Sequence, residues 1–192
     1  KNLANAREIF DSYLNNIFDQ KGEDWVKIEL KKVCSIKSSL VDPREIHYIN
    51  LLHVGAGNII SKTGELIELK TAKEEKLKSG KFVFDEDMVL YSKIRPYLMK
   101  VCRPDFTGLC SADIYPLAPD DQSLDRDFLF YLLLSKKFTD YAIAGSARAG
   151  MPKVNRDHLF QYKFPLPPLS EQIFLARRID KIRVETQRLE AI

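Results

Sequence analysis

The sequence predicts an α+β fold: a mixed β-sheet domain with short packed helices, flanked by projecting N- and C-terminal helices able to form an antiparallel coiled coil. Three observations predict it. Asn2 to Asp19 places Leu3, Ala6, Phe10, Tyr13, Leu14 and Ile17 at three- and four-residue steps, one stripe of an amphipathic helix. From Trp25 to about Leu117 the pattern changes to short apolar runs broken by Gly and Pro, as strands and turns require. Finally, Leu175, Ile179, Ile182, Thr186 and Leu189 recur at steps of four, three, four and three, the spacing of a coiled-coil seam.

Taken in order, the first helix ends at Gly22, a residue suited to the left-handed stop of a helix. The strand candidates are HYINLLHV, KFVF, MVLYSKI, YLMKVC and LCSADIYPL, separated by Gly55, Gly57, Gly64, Gly80, Pro96, Pro104 and Gly108. Asp125 caps a buried helix running to Ser135, whose Phe128, Leu129, Leu132 and Leu133 are densely apolar. A second short helix follows at Lys137 to Ala144 and stops at Gly145. GSARAGMPKVNRDHL, Gly145 to Leu159, reads as a mobile loop leading to a short helix capped by Asn155. Then FPLPPLSEQ, Phe164 to Gln172, brings three prolines that fix φ and remove three backbone donors. The segment is expected to be a stiff strut that neither extends the sheet nor joins the helix; a proline-rich turn ending a sheet is the alternative. Seam-bearing helices at both ends favour the strut. The last helix opens with Ser170 as cap and Glu171 in its first turn. The domain plan is therefore an N-terminal helix over 1–20, a globular domain over 21–164, and strut plus helix over 165–192.

A chain of 192 residues with 45% hydrophobic residues fits one domain with a real core. No apolar run approaches bilayer length, and KNLANAREIF lacks the apolar centre of a secretory signal, so a cytoplasmic protein without a membrane partner is expected. Cys34, Cys102 and Cys110 form no C-x-x-C pair and are expected to be reduced and structural.

Catalytic constellations are weak. There is no phosphate-binding glycine loop and no F-x-G-x-G or N-P-P-Y-like methyltransferase motif; VGAG at Val54 to Gly57 and LPPL at Leu166 to Leu169 lack the polar groups that would hold a target amine. His47, His53 and His158 have no metal-ligand spacing, so no metal site is expected. Glu68-Leu69-Lys70 with Asp42 can be forced into a nuclease pattern, but with 30% charged residues such triplets arise by chance. No catalysis is expected from this chain alone.

Net charge is only +3, yet its distribution is uneven. Met88 to Arg103 holds Lys93, Arg95, Lys100 and Arg103 and no acid; Tyr141 to Arg156 holds Arg148, Lys153 and Arg156 and no acid. If the fold joins these windows, one face is positive on a nearly neutral molecule. Double-stranded DNA is the partner this chemistry suits. Arg95 beside Tyr97 on a Pro-stiffened tip can grip guanine O6 and N7, Lys93 and Lys100 can meet phosphates, and Arg148, Lys153, Asn155 and Arg156 repeat the chemistry with an amide able to read adenine. Leu175, Ile179, Ile182 and Leu189 are the candidate helix-partner seam.

Several stretches together resemble the specificity subunits of type I restriction-modification systems: NAREIFDSYLNNIF, Trp25 with IELKKVCSIKSS, DEDMVLYSKIRPYLMK, GLCSADIYPLAP, and GSARAGMPKVNRDHL running into FPLPPLSEQ. The resemblance implies a target recognition domain that reads one half of a bipartite site, with spacer helices forming an antiparallel coiled coil to a second recognition domain in the same or another chain. It implies modification subunits that carry S-adenosylmethionine and methylate adenine, a motor-nuclease restriction subunit, and no cofactor in this chain. Such subunits carry two recognition domains, so this chain is either the second domain of a longer one or a half-length subunit that pairs with itself. NAREIFDSYL resembles the central spacer, which favours the former. Two alternatives stay open: a recognition domain of a single-chain restriction-modification enzyme, and a helix-mediated protein-interaction module.

Overall fold

A computed structural model describes residues 2–20, 22–146 and 150–190, with side chains over 7–20, 22–146 and 150–188. The chain begins with α1 (Asn2–Asp19), β1 (Val26–Glu29), β2 (Cys34–Ser35), β3 (Leu40–Val41), β4 (Leu52–Val54), β5 (Lys70–Thr71) and β6 (Lys81–Phe84). Next come β7 (Val89–Ser92), β8 (Val101–Cys102), β9 (Gly108–Ser111) and β10 (Ile114–Pro119). The last part is helical apart from one strand: α2 (Arg126–Leu134), α3 (Lys136–Ala144), α4 (Arg156–Phe160), β11 (Lys163–Leu166) and α5 (Leu169–Glu190).

Strands β2-β10-β7-β8 form an antiparallel sheet of four, and β3-β6-β9-β4-β5 a mixed sheet of five in which β4 and β9 run parallel. The four-stranded sheet is the middle layer. In β7, Val89 and Tyr91 face a core shared with the helices, whereas Leu90 faces a second core under the larger sheet. Likewise Tyr115 and Leu117 of β10 face the helices while Ile114 and Ala118 face the other way, and Val101 and Cys102 of β8 divide in the same manner. A sheet covered on both faces needs an unbroken apolar run, and MVLYSKI supplies one. The three cysteines are free and buried; burial pushes the Cys34 thiol up to about 12 and the Cys102 and Cys110 thiols further still.

LCSADIYPL, read from sequence as one run, is two strands: a turn at Ala112 and Asp113 passes the chain from the five-stranded sheet to the four-stranded one. HYINLLHV contributes only its last residues to β4, because residues 43–51 form successive turns in which Glu45 O accepts from Tyr48 and Ile49 N. The helices follow the sequence closely. Asp125 Oδ1 caps α2 by accepting from Phe128 N at 2.8 Å, and Ser135 Oγ caps α3 by accepting from Phe138 N.

Two corrections concern the C-terminal part. The proline segment does extend a sheet: β11 pairs antiparallel with β1, with Phe164 opposite Ile28 and Pro165 opposite Lys27. A two-stranded ladder has an edge on each strand, which is where proline is tolerated. Helix α5 also starts before Ser170, which lies inside its first turn; the Pro168 carbonyl accepts from Glu171 and Gln172 N at 2.9 and 3.0 Å.

The second correction is that α5 does not simply project. Leu175 and Ile179 are buried in the helix-side core with Leu14, Ile17 and Phe18 of α1, and Ile182 is half-buried. A heptad seam and the buried stripe of a core helix share one spacing, and most of this stripe is satisfied inside the domain. The side chain of Leu189 lies outside the described residues. Helices α1 and α5 run antiparallel: Arg178 lies over the Tyr13 ring, while Trp25, just past α1, donates to Glu171 at the start of α5.

Candidate nucleic-acid interface

The two basic windows meet. Beyond β7 the chain folds into a 3-10 turn at Pro96–Leu98 and returns as β8, with Ser92 N donating to Lys100 O at 3.0 Å to close the base. Residues 150–154 lie along this tip: Ile94 forms a β-bridge with Lys153, Arg95 N donates to Pro152 O at 2.9 Å, and Val154 N donates to Lys93 O at 2.8 Å. The Tyr115 hydroxyl donates to Val154 O from below. The loop base is fixed by Gly145, where an added Cβ would stand 2.0 Å from His158 Nε2, itself bonded to Tyr141 O with the two rings stacked at 4.0 Å.

Arg95 and Met99, which bracket the turn, have φ of 49° and 50°. Side chains adopt this left-handed region only at a cost, so the tip is held there by its surroundings. Arg95 is exposed, and Tyr97 is 52% exposed despite its ring. Met151, at the start of the neighbouring segment, is exposed as well. A guanidinium and an aromatic ring thus stand on a rigid tip beside a second strand of backbone.

The other predicted residues divide. Lys93 is turned inward: its side chain is 13% exposed, its Nζ donates to Ala112 O and lies 5.0 Å over the Tyr115 ring, and Asp113 Oδ1 is 3.7 Å away. Burial, then the nearby Lys153 charge, lowers its pKa from the ordinary lysine value, with Asp113 opposing. Lys153 reaches the same Asp113 oxygen at 3.1 Å. Lys100 donates to Ala56 O at the base of the hairpin. Asn155 caps α4, accepting from His158 N at 2.7 Å, so its carbonyl oxygen is occupied. Arg156 donates to Ile36 O at 3.3 Å and stays exposed. Arg148 lies outside the described residues. Arg103, the remaining base of the first window, is drawn away to α5, pairing with Asp127 at 2.6 Å and with Asp180.

Sequence reasoning passed over Asp113 and Met151. The only local signal for Asp113 is its place in a Ser-Ala-Asp turn before a strand. For the nuclease-like triplet, Asp42 is instead occupied by a forked contact with Arg44, 2.6 Å from its Nη2, and among the described residues no cluster of His, Cys, Asp and Glu is arranged to hold a metal ion. Among the described residues no helix is long and apolar enough to cross a membrane.

Residues 22–192 match the family model of the type I restriction modification DNA specificity domain. The chain is 36% identical over 159 residues to the type I restriction enzyme EcoDI specificity subunit of Escherichia coli, covering 83% of this chain and 35% of that protein. Among solved structures it is similar to the HsdS subunit from Thermoanaerobacter tengcongensis, with a TM-score of 0.69 at 19% identity, over 98% of this chain and 46% of that one. A chain from a structure of complex assembly and conformational transition in the type I R-M system gives a TM-score of 0.73 at 18% identity, over 98% and 47%. The chain therefore spans about a third of that curated relative and about half of each solved chain.

Proposed function

The chain belongs to the type I restriction-modification DNA specificity family, and on that premise we propose that it reads one half of a bipartite site in double-stranded DNA without performing chemistry itself. The observation that carries the reading is the junction of the two acid-free windows: Arg95 and Tyr97 presented outward on a clamped, left-handed tip beside Lys153. Arginine is shaped to hold guanine O6 and N7 with two parallel bonds, and the tip is preformed, so little ordering is needed on binding.

In this reading α1 and α5 are the spacer helices. Their outer faces carry Ile9, Phe174 and Val184, all exposed large apolar side chains, which suits contact with further helices of the same assembly. The modification subunits, carrying S-adenosylmethionine, are assigned the adenine methylation, and the restriction subunit the cleavage; a second recognition domain supplies the other half-site. The target adenine leaves the stack into the modification subunit's pocket, away from this chain.

The test is to co-express the complete subunit with its modification partner and map methylated adenines, with wild type and Arg95→Ala compared. Methylation confined to one bipartite sequence in the wild type, and lost or relaxed in one half-site in the variant, supports the reading. Methylation unchanged in both half-sites by Arg95→Ala and by Tyr97→Ala refutes readout through this tip.

A further inference from the structure

A carboxylate stands in the middle of the basic junction. Asp113 occupies the turn between β9 and β10, its carbonyl accepting from Lys93 N at 3.0 Å and its own N–H donating to Ser111 Oγ at 3.3 Å, so the backbone is fixed from both directions. Its Oδ1 faces Lys153 Nζ at 3.1 Å and Lys93 Nζ at 3.7 Å. The side chain is nevertheless 46% exposed, and among the described residues no hydrogen bond engages Oδ2. Lys93 does not need this acid, since it already donates to Ala112 O and lies over Tyr115. One negative charge thereby offsets part of the charge of two lysines at a point where phosphates would otherwise be welcome. A half-exposed carboxylate facing a polyanion is repelled unless a donor meets it.

Resting on the DNA-recognition reading above, we infer that Asp113 is a specificity-determining residue whose free carboxylate oxygen accepts a hydrogen bond from the N4 amino group of a cytosine in the major groove. Cytosine presents there only the amino donor and a C–H edge, whereas adenine sets its N7 lone pair beside the N6 donor, where a second carboxylate oxygen is unwelcome. Guanine and thymine offer acceptors and are rejected. Lys93 and Lys153 act as positioning residues: they hold the carboxylate in place and reduce its repulsion of the flanking phosphates. Asp113 lies beside the Ile94–Lys153 bridge, next to the tip that presents Arg95, so an acceptor and a two-pronged donor address the same groove.

The experiment is a quantitative binding selection from a randomised duplex pool, using the complete specificity subunit assembled with its modification partner, as wild type, Asp113→Ala and Asp113→Asn. The wild-type profile is expected to contain a position that requires cytosine. Asp113→Ala is expected to lose that one preference, with about a 5- to 150-fold loss of affinity on the cognate duplex and the other positions retained. Asp113→Asn, which keeps the shape and the lysine-facing oxygen, is expected to shift the same position away from cytosine. If Asp113 only neutralises the two lysines, Asp113→Ala tightens every duplex alike, steepens the salt dependence by about one phosphate contact, and leaves the profile unchanged; that result overturns the inference. An unchanged profile for Asp113→Asn overturns it even if the alanine variant does not fold. A wild-type assembly with no sequence preference overturns the recognition reading itself, a different outcome from a preference that Asp113 does not influence.

Discussion

Replacing Arg95 by glycine should separate stability from binding, because the tip holds an arginine where the backbone favours glycine. With φ at 49°, the Cβ of Arg95 crowds the backbone. The left-handed conformation costs about 1–2 kcal/mol for a residue with a side chain. Glycine removes that cost but adds about 0.5–1 kcal/mol of chain entropy to the unfolded state. The side chain is exposed, so no packing is lost, and Arg95 N still donates to Pro152 O at 2.9 Å. Arg95→Gly should therefore lie between neutral and about 1.5 kcal/mol more stable than wild type, a rise of up to about 6 °C in Tm for a domain of this size. Arg95→Ala keeps the crowding and should leave Tm unchanged. Both should lose about 1–3 kcal/mol of binding on the cognate duplex and much less on scrambled DNA. Thermal unfolding and fluorescence anisotropy of the complete subunit read the two quantities. An Arg95→Gly variant that melts earlier than wild type would refute the strain argument, and equal losses on cognate and scrambled DNA would refute base readout by Arg95.

Gln172 is fully buried, donating from Nε2 to Ser123 O and Pro167 O and accepting from Asp125 N, so Gln172→Leu strands three backbone groups. It should cost about 2–4 kcal/mol in denaturant unfolding, and a loss below about 1 kcal/mol would contradict those bonds. Gly145→Ala meets the His158 ring and should cost about 1–3 kcal/mol, most of it recovered in the Gly145→Ala/His158→Ala double variant; additive losses would place the strain elsewhere. Ile179→Ser should destabilise the domain itself by about 3–5 kcal/mol, while the exposed Phe174→Ser should change stability by less than about 0.5 kcal/mol and act on assembly alone, as read by denaturation and sedimentation. Because burial holds all three thiols well above the usual cysteine value, labelling of Cys34, Cys102 and Cys110 mapped by mass spectrometry should follow global unfolding. Fast labelling of the native protein would refute their burial.

Local rules made the helices legible. Asp125, Asn155 and Gly145 stand where caps and stops belong, and the structure puts them there because each satisfies a backbone group at that one position. Strand identity was legible for KFVF and MVLYSKI, where apolar runs match buried ladders, but sheet membership was not. Nothing in LCSADIYPL announces that its halves serve different sheets, since both halves are buried and the turn holds no Gly or Pro. The seam at Leu175, Ile179 and Ile182 was legible as an apolar stripe that meets α1, but not as one covered within the domain, because periodicity reports which face is apolar and not what covers it. At the candidate interface the same limit applied: acid-free windows picked out two loops that meet in the fold, yet only tertiary geometry shows that Lys93 turns inward, Arg103 is drawn to α5, and Asp113 enters the basic face.

The connection between that face and α5 bears on how a recognition module could measure distance. At about 1.5 Å per residue a 22-residue helix is about 33 Å long, so about 10° of play at its base moves its tip by about 6 Å. That displacement approaches two base-pair steps of about 3.4 Å, enough to blur the separation of two half-sites. The structure restrains α5 at three levels. At its start, Glu171 accepts from Trp25 Nε1 at 3.0 Å and Gln172 is locked to Ser123, Asp125 and Pro167. Midway, Asp180 receives both Arg103 and the Tyr131 hydroxyl, with the guanidinium 4.6 Å from the Phe130 ring and paired to Asp127. Further along, Arg183 donates to Thr63 O, and Gln187 donates to Glu65 at 2.9 Å. A single anchor would leave a hinge, whereas anchors spread from Glu171 to Gln187 leave none within that span. Arg103, counted from sequence only as a base of the first acid-free window, thus serves to fix α5 to the globular part, as the proposed division between base reading at one end and spacing at the other would require of one rigid body.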